Sequence, residues 1–94
     1  MTLGVLTLHI HIPGCSSLKE KRSRLKPLLT RLHREFNLSV TEMEHHDVWQ
    51  SATIACALIS TGNGHTQRTL QKVIHWIETN WPDVLLVDDQ IELI

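Results

Sequence analysis

The sequence predicts an α+β fold whose elements follow the order β-α-β-β-α-β. Three observations support this prediction. Apolar and polar residues alternate along 3–12, as in a strand with one buried face. Segment 51–61 is apolar on both faces, which is typical of a strand in the centre of a sheet. Leucine and isoleucine recur at helical spacing along 18–36 and 65–80.

The first strand, 3–12, has one strongly apolar face and one mixed face. The apolar face consists of Leu6, Leu8, Ile10 and Ile12, and the other of Val5, Thr7, His9 and His11. Pro13 and Gly14 end this strand, because proline and glycine favour turns. We therefore expect Leu8 to point toward the helices and His9 toward the opposite side of the sheet.

The first helix, 18–36, begins with a capping box formed by Ser17 and Glu20. Pro27 lies inside the helical pattern and would break most helices. On a helical wheel, however, it falls opposite the leucine stripe, where water can bond the freed carbonyl. The pattern therefore predicts one kinked helix and not two short ones.

The remaining segments complete the two repeats of strand, helix and strand. An edge strand is expected at 38–44 because Glu42 and Glu44 lie in it, and a turn at 45–48. Pro82 ends the second helix, and a last strand follows at 84–94 with an irregularity at Asp88-Asp89.

Two right-handed crossovers onto one sheet give the ferredoxin-like βαββαβ arrangement. It is a two-layer sandwich, with a four-stranded antiparallel sheet and both helices on one face. The first and third strands become central. Ninety-four residues are enough for one domain, so residues 1–94 are predicted to form a single ferredoxin-like domain.

Composition excludes several classes of protein. Hydrophobic residues make up 41% and charged residues 20%, which argues against disorder. No apolar stretch is long enough to span a bilayer, and the first residues lack a basic region of the kind that begins a signal peptide. We therefore expect a cytoplasmic protein without a membrane partner. Cys15 and Cys56 form no C-x-x-C pair and are expected to be free thiols.

The sequence contains four short motifs: Pro-Gly at 13–14, SLKEKR at 17–22, FNLSV at 36–40 and DVWQ at 47–50. In combination they resemble the YlxP-like family of small bacterial proteins of unknown function. The resemblance implies a ferredoxin-like fold. It also implies a link to translation or ribosome assembly, because genes of this family often lie beside translation genes. It carries no catalytic residues over, and this chain departs from the family pattern at Pro27.

Charge is distributed unevenly along the chain. Residues 1–36 contain seven Lys and Arg residues and two Glu residues. Residues 37–94 contain two Lys and Arg residues and eight Asp and Glu residues. The seven cations are Lys19, Lys21, Arg22, Arg24, Lys26, Arg31 and Arg34. We predict that they bind nucleic acid, with ribosomal RNA or a ribosomal protein as partner. The alternative is a solvated helix whose long side chains cover the core edge.

Two further site hypotheses are weaker. Ser16, Ser17 and Lys19 lie at the start of the first helix, where free N–H groups bind anions. The alternative there is simple capping. His9 and His11 share one strand face and are spaced as metal ligands can be, with His45 and His46 further along the chain. Because no third ligand is evident, we expect no metal and no cofactor.

The sequence lacks the motifs of several activities that are known for this fold. The central strands contain no aromatic residue, which excludes base stacking of the RNA-recognition-motif type. No nucleophile elbow or phosphate-binding glycine loop is present, so a non-catalytic binding protein is expected. The alternative function is a homodimeric structural or regulatory module that binds a small ligand at the open sheet face.

Overall fold

The computed structural model describes residues 1–43 and 48–94 and confirms the predicted order of elements. The elements are β1 (Thr2–His11), α1 (Leu18–Phe36), β2 (Ser39–Glu42), β3 (Ser51–Ser60), α2 (Asn63–Asn80) and β4 (Leu85–Leu93). Glu44 of the predicted edge strand and residues 45–47 of the predicted turn lie outside the described residues.

The four strands form one antiparallel sheet in the order β2-β3-β1-β4. The first and third strands are therefore central, as predicted. Leu8 lies opposite Ile54, and Leu6 lies opposite Cys56, in the β1–β3 register. All four side chains are fully buried. The alternating burial along β1 shows that its leucine face packs under the helices, which confirms the ferredoxin-like α+β fold.

Strand β4 contains one extra residue relative to β1. His9 lies opposite Asp88, but Ile10 lies opposite Leu86, so Val87 has no partner in the register. The predicted irregularity at Asp88-Asp89 is thus a bulge one residue earlier. The bulge leaves Val87 with 68% of its surface exposed.

The N-terminus of α1 has the predicted capping box. The Ser17 hydroxyl accepts a hydrogen bond from the Glu20 N–H at 3.0 Å, and the Glu20 carboxylate accepts one from the Ser16 N–H at 3.3 Å. The helix ends at Asn37, which adopts the left-handed conformation with φ 53°. Pro27 lies inside one continuous helix at an exposed position, which confirms the expectation of a single helix.

Replacing Pro27 by alanine is expected to leave the domain at least as stable as the wild type. Proline costs about 3 kcal/mol in a straight helix interior, and alanine restores the missing N–H at the solvent face. Thermal unfolding of Pro27→Ala checks this. A clear drop in melting temperature would show that the packing of α1 requires the proline.

Strand β1 and helix α2 approach closely at Gly4. A Cβ atom at this position would overlap the Thr66 methyl group and lie 2.9 Å from Leu70 Cδ1. Nearby, the Thr2 hydroxyl donates a 2.7 Å hydrogen bond to the Asn63 side-chain oxygen at the start of α2. The absence of a side chain at Gly4 therefore allows α2 to pack directly on the first strand.

Candidate nucleic-acid interface on the first helix

Lys21 is not on the surface that the sequence predicted. Its side chain is only 1% exposed, and its ammonium nitrogen lies 2.7 Å from a carboxylate oxygen of Glu42 on β2. The position follows from helical spacing, since Lys21, Leu25, Leu28 and Leu32 fall on the same buried stripe. The buried ion pair joins α1 to the edge strand, so Lys21 is not part of the accessible cationic surface.

Arg24 holds two loops together. Its guanidinium donates hydrogen bonds of 2.7 Å to the Pro13 carbonyl and of 2.7 Å to the Asp83 carbonyl. Pro13 belongs to the β1–α1 connection and Asp83 to the α2–β4 connection, so one side chain bridges both. The side chain is 25% exposed. With both terminal nitrogens engaged by carbonyls, Arg24 acts as a structural residue.

Arg31 is partly engaged. It forms an exposed ion pair of 3.3 Å with Glu35, and its guanidinium lies over the Trp76 ring at 5.5 Å from the centroid. Trp76 also packs edge-on against Phe36 and stacks with Trp81. Arg31 therefore covers an aromatic cluster between the two helices, and its charge is already partly balanced by Glu35.

Four of the seven cations that were predicted to bind nucleic acid are accessible on the surface. Lys19, Arg22, Lys26 and Arg34 are exposed and form no ion pair or side-chain hydrogen bond within residues 1–43 and 48–94. We call these four residues the basic row. Lys19, Arg22 and Lys26 are spaced i, i+3 and i+7 and share one side of α1. This is the part of the predicted interface that the structure leaves accessible.

The basic row borders a depression between α1 and β2. Arg22 and Lys26, together with Leu25, Leu29 and Glu42, line a volume of about 240 Å³. Its floor is apolar, and its rim carries two cations beside a carboxylate that already pairs with Lys21. The row therefore presents positive charge at the α1–β2 edge of the molecule.

The predicted anion site at the start of α1 is occupied by the chain itself. The Ser16 and Glu20 N–H groups donate to Glu20 and Ser17 side chains, and the Lys21 N–H donates to the Ser17 carbonyl. The Glu20 carboxylate also places negative charge there. The contacts of Ser16 and Ser17 thus match the capping alternative, while Lys19 remains exposed in the basic row.

The histidine pair lies on the open sheet face. His9 is exposed, with Nδ1 3.1 Å from the Thr53 hydroxyl, and it lies opposite Asp88 on β4. His11 lies opposite Ser51 and Leu85. The described part of the chain contains no group of three or more residues able to hold a metal. His45 and His46 lie outside the described residues.

Comparison with known proteins identifies the family. The sequence profile described as "Protein of unknown function (DUF503)" matches residues 3–90. This chain belongs to that family. It is also 38% identical over 82 residues to the Bacillus subtilis (strain 168) protein named "Uncharacterized protein YlxP", covering 87% of this chain and 88% of the relative. The predicted resemblance to YlxP-like proteins is therefore confirmed.

One solved structure shares the fold of this family member at low sequence identity. It is titled "De novo designed protein Foldit4" and superimposes with a TM-score of 0.53, at 10% identity, over 100% of this chain and 97% of its own. A designed protein with this topology supports the fold assignment alone. Within residues 1–43 and 48–94, no helix has the length and hydropathy needed to cross a membrane.

Sequence reasoning missed the structural roles of Lys21 and Arg24. The signal for Lys21 was present, because it lies four residues before Leu25 on the apolar stripe. No local pattern indicates Arg24, because its partner carbonyls lie 11 and 59 residues away in the sequence. Of the seven cations predicted to bind nucleic acid, the four of the basic row are therefore the remaining candidates, and Arg31 lies next to them on α1.

Proposed function

We propose that this chain is a non-catalytic protein that binds RNA through the basic row on α1. The observation that carries the proposal is four exposed cations on one helix that have no acidic partner among the described residues, in a chain whose net charge is −1. Net charge does not attract RNA to this chain, so the local concentration of cations on α1 must supply the attraction.

The dimensions of the row suit a nucleic-acid backbone. At a rise of 1.5 Å per residue, Lys19 and Arg34 are about 22 Å apart along the helix axis. Lys19, Arg22 and Lys26 lie within about 10 Å of one another along that axis. Flexible side chains at this spacing can each contact a different phosphate of one strand.

The two central strands lack the large aromatic residues that read bases in RNA-recognition motifs. Strands β1 and β3 carry no Phe, Tyr or Trp side chain on which a base could stack. Recognition would therefore depend on phosphate charge and on RNA shape. We propose ribosomal RNA as the partner, because the resemblance to YlxP-like proteins implies a link to translation.

Neutralising the basic row tests this function. We expect Lys19→Gln/Arg22→Gln/Lys26→Gln to weaken binding to a single-stranded ribosomal RNA fragment by roughly tenfold or more at about 50 mM salt, because three phosphate contacts are lost. The control is Arg68→Gln/Lys72→Gln, which removes the two exposed cations of α2. Fluorescence anisotropy with a labelled fragment measures both affinities.

The control variant is expected to bind RNA as the wild type does. An equal loss of affinity per charge removed in the two variants would mean that binding follows net charge and not the basic row. Unchanged affinity in the triple variant would contradict the proposal. Binding of the wild type to a ribosomal protein, with no affinity for RNA, would favour the protein partner that the sequence left open.

A further inference from the structure

The open face of the sheet, opposite the helices, is unusually apolar for a surface in water. Its centre consists of Val5 and Thr7 on β1 beside Ala57 and Ala55 on β3. An antiparallel sheet can leave one face solvated, but that face is then usually polar. Neither central strand places a Lys, Arg, Asp or Glu on it.

Exposed hydrophobic side chains cluster at both ends of this face. At one end, Ile59 (67% exposed) and Ile94 (73%) both lie opposite Leu3. At the other end, Leu85 lies opposite His11, and Val87 lines the same depression as His9. Among the described residues, neither helix contributes an exposed large hydrophobic residue. The apolar surface is thus concentrated on one side of the molecule.

The size of this face matches a protein interface. Strands β1, β3 and β4 contain ten, ten and nine residues. With strands about 4.8 Å apart and a rise of about 3.4 Å per residue, the sheet measures roughly 15–19 Å by 34 Å. That is about 500–650 Å² in projection, close to the roughly 800 Å² of accessible surface that one partner buries in a standard interface.

We propose that a second copy of this chain covers the open face in a two-fold dimer. Acidic residues decide how the copies pack. Asp88 and Glu92 lie opposite His9 and Val5 and therefore share the open face on the β4 side. If β4 stacked on β4 of the second copy, these carboxylates would face one another, which is unfavourable.

A two-fold axis parallel to the strands avoids this clash. It stacks β4 on β2 of the second copy, which places Glu92 over Ser39 and Gln90 over Thr41 and keeps the carboxylates of the two β4 strands apart. The same axis stacks β1 on β3, so the larger Val5 meets the small Ala57, which lies at the same level of the sheet. The carboxylates of the two copies then lie apart, and the larger side chains of one face meet the smaller ones of the other.

Both α1 helices lie on the outside of such a dimer, because the helices cover the other side of each sheet. The inference is therefore independent of RNA binding. Each dimer would carry two basic rows, and loss of the dimer would leave each row in place.

Sedimentation equilibrium of the wild type and of Ala57→Lys tests the dimer. We expect a wild-type dimer at tens of micromolar. Ala57→Lys should weaken it by roughly a hundredfold or more, because a long charged side chain would replace a small one in the centre of the closely packed face. The control Thr30→Lys adds the same charge on the exposed face of α1 and should remain dimeric.

If Ala57→Lys fails to fold, Ile59→Lys serves instead, since that side chain is mostly exposed in the single chain. A wild type that is monomeric at 100 µM, whether or not it binds a small molecule on this face, would overturn the proposal. The proposal would also be overturned if both Ala57→Lys and Ile59→Lys remained dimeric, because the copies would then meet through another surface.

Discussion

Replacing Lys21 by glutamate is expected to destabilise the domain by more than about 3–5 kcal/mol, the usual cost of breaking a buried ion pair. The new carboxylate would lie in the position of an ammonium group that is 1% exposed and 2.7 Å from Glu42. Like charges at that separation, away from water, repel strongly. Urea unfolding of Lys21→Glu measures the loss.

The neighbouring residue supplies the control. Arg22→Glu makes the same change at an exposed position and is expected to alter stability by less than about 0.5 kcal/mol. The exchange variant Lys21→Glu/Glu42→Lys should recover part of the lost stability, because it restores opposite charges across the α1–β2 contact. If Lys21→Glu unfolds at the same urea concentration as Arg22→Glu, Lys21 is accessible to solvent after all.

Truncating the core at Leu8 or Ile54 is expected to cost roughly 2–5 kcal/mol in each case. Both side chains are fully buried, and they lie opposite one another on the two central strands. Each alanine leaves a cavity between sheet and helices. Because the two residues are neighbours, we expect the stability lost in the double variant to differ from the sum of the two single losses.

The other face of the same strands provides the comparison. Thr7→Ala and Thr53→Ala change the adjacent positions on the open face and should cost much less, since both side chains are only partly buried. Thermal or urea unfolding of all four variants checks the orientation of β1 and β3. If Leu8→Ala or Ile54→Ala melts like the wild type, the strand orientation is wrong by one residue.

Much of the fold was predictable because the strand period is two and only one face of the sheet is buried. The leucine face of β1 could therefore be assigned from alternation alone. The cap at Ser17 was equally clear from a local motif. The bulge at Val87 was placed one residue late, because its position depends on pairing with β1 and not on the β4 sequence.

Less of the site was predictable, because charge alone does not report burial. Lys21 was grouped with the other cations although its spacing to Leu25 placed it on the buried stripe. Gly4 gave no sequence signal, since its role depends on how closely α2 approaches. These findings also change the experiment on RNA binding. Charge reversal at Lys21 would lower the stability of the domain, so only exposed residues of the basic row can report on function.

The salt dependence of RNA affinity tests the proposed role of the basic row most directly. For a single strand, log K falls with log salt concentration at a slope of about −0.7 per phosphate contacted. Four contacts predict a slope of about −3 for the wild type, and one remaining contact predicts about −1 for Lys19→Gln/Arg22→Gln/Lys26→Gln. Equal slopes for the two proteins would show that the basic row does not contact the RNA backbone.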